Sequence, residues 1–203
     1  LSTLNWPKAV DKAPRAWITV PDTEGFGTLK RAAAAAAGAE IRYALIPWNW
    51  EGVPGSLEGG APGYPREIAR AARELIGVGV TPGISVDPLL VRGGNDAWAV
   101  STDDGRRWVN PDHPEGAAFI TDRLRRLIRA GFGFVVVARS QIPDVVLAHF
   151  GLSREEAWWR AVGAVQAVGD SVPVYPETAA EIKPHRDALL EAATLTAIAG
   201  SYR

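Results

Sequence analysis

Carboxyl groups are the residues whose placement in this chain first suggests chemistry. Asp87 follows the apolar run TPGISV (81–86), Asp144 follows FVVVA (134–138), Glu177 follows VPVY (172–175), and Glu51 follows IRYALI (41–46). Hydrolysis of a glycosidic bond needs two such groups flanking it, one to protonate the leaving oxygen and one to attack or to activate water. In a parallel α/β fold they belong at the C-terminal ends of strands, which is where Asp87 and Glu177 fall. Asp144 is the third candidate for proton transfer. Any one of these four carboxylates, taken singly, is more often a solvated loop carboxylate or a helix cap. Arg139, directly after the run at 134–138, suits a carboxylate ligand or a pair with Asp144.

Tryptophan is over-represented, with 8 in 203 residues. Trp48, Trp50, Trp98 and Trp108 fall in segments that read as loops. A flat indole face stacks on the C–H face of a sugar ring while a neighbouring carboxylate such as Glu51 takes the hydroxyls. These four Trp, with Glu51 and Arg139, are therefore the candidate substrate-binding set; the competing role for the indoles is to pack loops onto the scaffold. Trp158 and Trp159 lie on a helical pattern and read as packing residues.

Other chemistries find less support. The chain has no Cys, which removes disulfides, thiolate metal sites and a cysteine nucleophile. His113, His149 and His185 stand far apart without a metal-ligand spacing, so no metal site is expected. Gly25-Phe26-Gly27-Thr28 sits where a dinucleotide fingerprint would, but Lys30 replaces its third glycine, and no phosphate-binding loop of the G-x-x-x-x-G-K type occurs. No cofactor is expected. Lys and Arg number 22 against 23 Asp and Glu, so no bulk field favours nucleic acid or an anionic membrane. The partner expected is a saccharide or another small polar ligand.

The elements that must position these residues alternate in βα fashion. AWITV (16–20), IRYALI (41–46), TPGISV (81–86), FVVVA (134–138) and VPVY (172–175) read as five strands. Helical patterns cover 28–37, a segment from near Pro65 to Gly77 or Gly79, 114–130, 143–150, 153–168 and 184–199. Gly38, Gly131, Gly151, Gly169 and Gly200 read as helix stops, and Ser153 with Glu156 has the spacing of a capping box. The segment 87–113 is too long for an ordinary connection, and Thr102–Gly105 reads as the turn of a small hairpin within it. The fold class expected is α/β, a TIM-barrel-like parallel repeat with five to six recognisable strands, forming one domain over 1–203. No stretch has the length of a membrane span and residues 1–13 lack a signal-peptide core. Met is absent, an initiator included, so a processed piece or a fragment is expected.

Several segments resemble the α-galactosidase (melibiase) type of glycoside hydrolase barrel and its α-glucosidase relatives. Gly79-Val80-Thr81-Pro82-Gly83-Ile84-Ser85-Val86-Asp87-Pro88 is similar to that family's third strand, G-x-x-P-G-L-W-x-x-P. Trp108 to Val137 resembles its D-x-x-x-P-E segment, helix and fourth strand. Tyr43 to Trp50 resembles its second strand, and Trp159 to Pro176 its approach to the fifth. The resemblance implies a barrel scaffold and a saccharide ligand. It also implies a nucleophilic Asp at the end of strand four, where this chain has Ala138 and Arg139, and acids after strand two, where it has Pro47 and Trp48. The family's acid/base Asp lies near a sixth strand that is not recognisable here. Three functions follow as expectations: an enzyme with relocated carboxylates and weak or no standard retaining activity, a non-catalytic saccharide-binding or scaffold protein, or a piece of a longer hydrolase.

Overall fold

The computed structural model describes residues 17–21, 24–37, 41–138, 140–168 and 174–176. In chain order the elements are α1 (Phe26–Ala37), β1 (Tyr43–Ile46), a 3-10 turn (Trp48–Trp50), α2 (Ile68–Gly77), β2 (Thr81–Val86), β3 (Leu90–Val91), β4 (Ala99–Ser101), β5 (Arg107–Val109), α3 (Pro114–Arg129), β6 (Phe134–Val137), α4 (Asp144–Phe150), α5 (Arg154–Gln166) and β7 (Val174–Pro176).

Strands β1, β2, β6 and β7 form one parallel sheet whose neighbours follow chain order. Of the strand expected at 16–20, the described residues 17–20 join it beside β1 as an isolated parallel bridge between Ile18 and Ala44, without a full ladder. This sequential order differs from that of a doubly wound sheet, whose order reverses at its centre. Among the described residues the sheet does not close on itself.

Side-chain alternation along the strands divides the core in two. Ala44, Ile46, Ile84, Val86, Val135 and Val137 face the helices and belong to the larger apolar cluster. Trp17, Leu45, Phe134 and Val136 form a second cluster on the opposite face, with Tyr43 against it. A sheet covered on both faces must have apolar strands throughout, which is why FVVV is buried at every position. Gly83, paired in register with Phe134, has no Cβ because one would overlap the Phe134 ring. That ring also meets Trp17, with centroids 5.7 Å apart.

The helices lie where their spacing predicts. Helix α1 buries Phe26, Leu29, Ala33 and Ala36 at helical intervals, and α2 buries Ile68, Ala71, Ala72 and Leu75. Helix α2 begins at Ile68 rather than near Pro65, because the chain stays extended at the N-cap Glu67. The capping box forms as expected: Ser153 accepts from the Glu156 backbone N–H, while the Glu156 carboxylate accepts from that of Ser153, 2.8 Å away. Such a cap stabilises a helix by about 1 kcal/mol. The segment between β2 and α3 contains the expected hairpin, β4–β5, and β3 extends it to a three-stranded antiparallel sheet in the order β3-β5-β4. The helix expected at 184–199 lies outside the described residues.

Candidate functional site at the strand C-termini

The C-terminal ends of β1, β2 and β6 bring Glu51, Asp87 and Ser140 onto one side of the sheet. After β1 the chain turns at once through Trp48–Trp50. Trp50 swings back over the sheet and donates its indole N–H to the Ser85 carbonyl at 2.8 Å. Glu51 then ties down the loop that follows, accepting 2.6 Å hydrogen bonds from the backbone N–H groups of Gly55 and Leu57. Gly55 is held at φ 79°, with a Cβ there only 2.7 Å from the Val91 backbone, so only glycine allows this loop to press against β3.

Asp87 closes the end of β2. One carboxylate oxygen accepts from the Leu89 and Leu90 N–H groups at 3.0 and 3.2 Å. The other accepts the Ser140 hydroxyl at 2.9 Å, across the seam between β2 and β6. Burial raises the Asp87 carboxyl above its ordinary value, with the Ser140 and backbone hydrogen bonds working against that rise. Glu51 is raised for the same reason, and Asp87 adds a smaller repulsion.

Between these carboxylates lies Arg123, which sequence reasoning missed. It is 5% exposed, in the middle of α3. Its guanidinium donates to the Leu90 carbonyl at 3.1 Å and to the Gly55 carbonyl at 2.6 Å, joining the loops that follow β1 and β2. It also sits 5.7 Å from the centroid of the Phe119 ring. Burial lowers its pKa to about 10, while Glu51 and Asp87 oppose that fall. Arg123 and Asp87 line one cavity of about 10 Å³ with Leu57, Val86, Pro88, Ile120 and Leu124. The signal for Arg123 is its spacing: it falls three residues after Ile120 and four before Leu127, on the apolar stripe of α3. It therefore cannot share the solvated face to which basic side chains of such a helix ordinarily belong.

Of the four loop indoles, three are core residues. Trp50 and Trp108 are 1% exposed and Trp98 is 7% exposed, so none presents a ring face to a ligand. Trp108 is the central residue of β5, opposite Leu90 and Val100, and Trp98 packs against Phe119 with the rings tilted by 44° and centroids 4.8 Å apart. Trp48 alone of the four is open, at 57%.

Asp144 stands at the first turn of α4, and Arg154 donates to its carboxylate at 2.6 Å and to the Ile142 carbonyl at 2.7 Å. The pair borders an open groove of about 490 Å³ lined by Ser140, Gln141, Ile142, Pro143, Asp144 and Arg154. The groove thus begins at the residue that holds Asp87. Arg139 and Glu177 lie outside the described residues. His113 serves as the N-cap of α3, its ring nitrogen accepting from the Glu115 N–H. Among the described residues no three His, Cys, Asp or Glu side chains gather as metal ligands, and no helix is long and apolar enough to cross a membrane.

No family model matches the sequence, and no curated protein matches it either. Solved structures do resemble the fold. An α-galactosidase from Thermus thermophilus, in complex with p-nitrophenyl α-D-galactopyranoside, superposes with a TM-score of 0.59 at 17% identity, covering 80% of this chain and 38% of its own. A substituted form of the α-galactosidase AgaA from Geobacillus stearothermophilus, in complex with stachyose, gives 0.60 at 12% identity over 91% of this chain and 31% of its own. The galactosidase domain of an α-galactosidase-sucrose kinase gives 0.58 at 14% identity, with 83% and 27% covered. This chain spans well under half the length of each, and what it shares with these α-galactosidases is their α/β fold.

Proposed function

We propose that this chain is a carbohydrate-recognising unit of the α-galactosidase-type barrel architecture. It binds a saccharide at the C-terminal side of its sheet and has little or no standard retaining hydrolase activity. The observation that carries the reading is what ends β6. Ala138 continues the β6 backbone, its N–H donating to the Val86 carbonyl at 2.8 Å, and Ser140, two residues on, is committed to Asp87. A methyl group at the position where the resemblance implies a nucleophilic Asp cannot form a glycosyl intermediate.

The polar groups at this side suit recognition and proton donation better than attack. Asp87 has both oxygens engaged by the Leu89, Leu90 and Ser140 donors, which argues against its attacking an anomeric carbon, while burial raises its carboxyl against those hydrogen bonds. If Glu177 or Asp144 served as its partner, a retaining mechanism would need about 5–5.5 Å between the two carboxyl groups. Trp48, the exposed indole of the four, supports the reading as the one whose ring surface a sugar could reach. A second reading, that the chain works as one part of a larger hydrolase, draws on its spanning only 38% of the Thermus enzyme.

The test is a paired assay of the purified chain. Raffinose and stachyose should bind in calorimetry, while p-nitrophenyl α-galactoside should not be turned over. Robust turnover that Asp87→Asn or Glu177→Gln abolishes would establish relocated catalysis and overturn the proposal.

A further inference from the structure

The groove between β6 and α5 points to a more specific role. We propose that Gln141, Asp144 and Arg154 form a subsite for the vicinal hydroxyls of a neutral pyranose; this inference rests on the saccharide reading above and locates its ligand. Its volume of about 490 Å³ falls within the roughly 300–1,000 Å³ typical of small-molecule sites. Its chemistry is that of a sugar site in miniature. Pro143, partly exposed, supplies an apolar surface for C–H groups over the buried Ile142, and Gln141, Asp144 and Arg154 line the same groove.

The Asp144–Arg154 pair carries the argument. The guanidinium reaches a single carboxylate oxygen of Asp144, at 2.6 Å, so the second oxygen keeps its acceptor capacity while the remaining guanidinium N–H groups keep donor capacity. An acceptor beside a donor matches two adjacent hydroxyls, one donating and one accepting. Both groups are substantially open, with side chains 91% and 41% exposed, so a ligand need not break the pair to reach them. Gln141 is exposed and makes no hydrogen bond among the described residues, which leaves its amide free to do the same. The charges of Asp144 and Arg154 cancel, so the subsite favours a neutral sugar over a carboxylated or phosphorylated one. Ser140 lines the groove and bonds Asp87, placing the subsite beside the candidate proton donor.

Isothermal titration of the full chain with raffinose, and separately with glucuronate, tests this. Gln141→Ala and Asp144→Asn are the informative variants, since Arg154→Ala would also release the Ile142 carbonyl. Each should weaken raffinose binding about three- to tenfold, the range expected for one hydrogen bond, with glucuronate bound more weakly than raffinose by the unsubstituted chain and by Gln141→Ala, and gaining on raffinose in Asp144→Asn, where the Arg154 charge is no longer balanced. Raffinose binding unchanged in both variants would overturn the subsite and leave the saccharide reading standing. Glucuronate bound more tightly than raffinose by the unsubstituted chain would overturn the neutral class. Absence of any saccharide binding by the unsubstituted chain would overturn the saccharide reading, and the subsite with it.

Discussion

Ser140 and Asp87 are 53 positions apart in sequence and 2.9 Å apart in space, the hydroxyl donating to the carboxylate across neighbouring strands. This bond makes the end of β6 answerable to the end of β2. Removing it should act on the acid as well as on the fold: in Ser140→Ala the Asp87 carboxyl loses a hydrogen bond that favours its charged form, and its pKa should rise further. A carboxyl-carbon NMR titration of both proteins measures this, and an Asp87 midpoint that stays put or falls would contradict it.

Asp87 also sets a sign for stability against pH. Its folded pKa is raised, so the folded state holds the proton more tightly than the unfolded chain does. Stability contributed by the protonated form is complete below the ordinary carboxylate value and declines as pH rises to the raised one. An amide put there by Asp87→Asn keeps a carbonyl acceptor for the Leu89 and Leu90 N–H groups and does not ionise. Chemical denaturation across the acid range should therefore show Asp87→Asn with less loss of stability on raising pH, and a steeper loss would count against the assignment.

Arg123 should prove indispensable to the loops it joins. Arg123→Ala takes the guanidinium donor from the Gly55 and Leu90 carbonyls and removes a positive charge that acts on both Glu51 and Asp87. Breaking a buried charged arrangement from one side costs about 3–5 kcal/mol. Arg123→Lys should recover only part of that, because an ammonium lacks the planar fork that reaches both carbonyls. Urea denaturation of the two variants would show it, and near-wild-type stability in Arg123→Ala would refute the role.

Gly83 and Phe134 give a prediction independent of function. Gly83→Ala would drive a methyl into the Phe134 ring and should destabilise by about 1–3 kcal/mol. Adding Phe134→Leu should relieve the clash, so the double variant loses less than the sum of the two single ones. Simple additivity would mean the ring does not rest on Gly83.

How far the sequence reveals this arrangement depends on the range of the interaction involved. Local signals are legible: the Ser153–Glu156 cap, the glycine after α4, the strand alternation and the hairpin around Thr102–Gly105 all involve neighbours in the chain. The strand-end rule places Asp87 correctly at the end of β2, because a parallel sheet in chain order leaves little choice. What is not legible is non-local. The two-residue β3 has no periodicity to detect, and nothing near Ser140 announces Asp87. The run at 16–20 reads as a full strand because it is apolar and β-branched; Trp17, Ile18 and Val20 are indeed buried, yet among the described residues burial does not make a ladder. The indoles of Trp50, Trp98 and Trp108 mislead for the opposite reason: their residue type suits a sugar face, but a loop folded onto the sheet can bury them as core. Arg123 is the recoverable omission, since its helical phase places a charge among apolar neighbours.

The central claim, a saccharide held at the C-terminal side of the sheet, is tested most directly by mapping raffinose onto the backbone amides. In ¹⁵N–¹H correlation spectra, titration should move the signals of Leu89, Leu90, Ser140 and Gln141, around Asp87 and the mouth of the groove, and leave Thr81 and Gly133 at the opposite strand ends in place. Shifts concentrated at Thr81 and Gly133, or no shifts at saturating sugar, would contradict it.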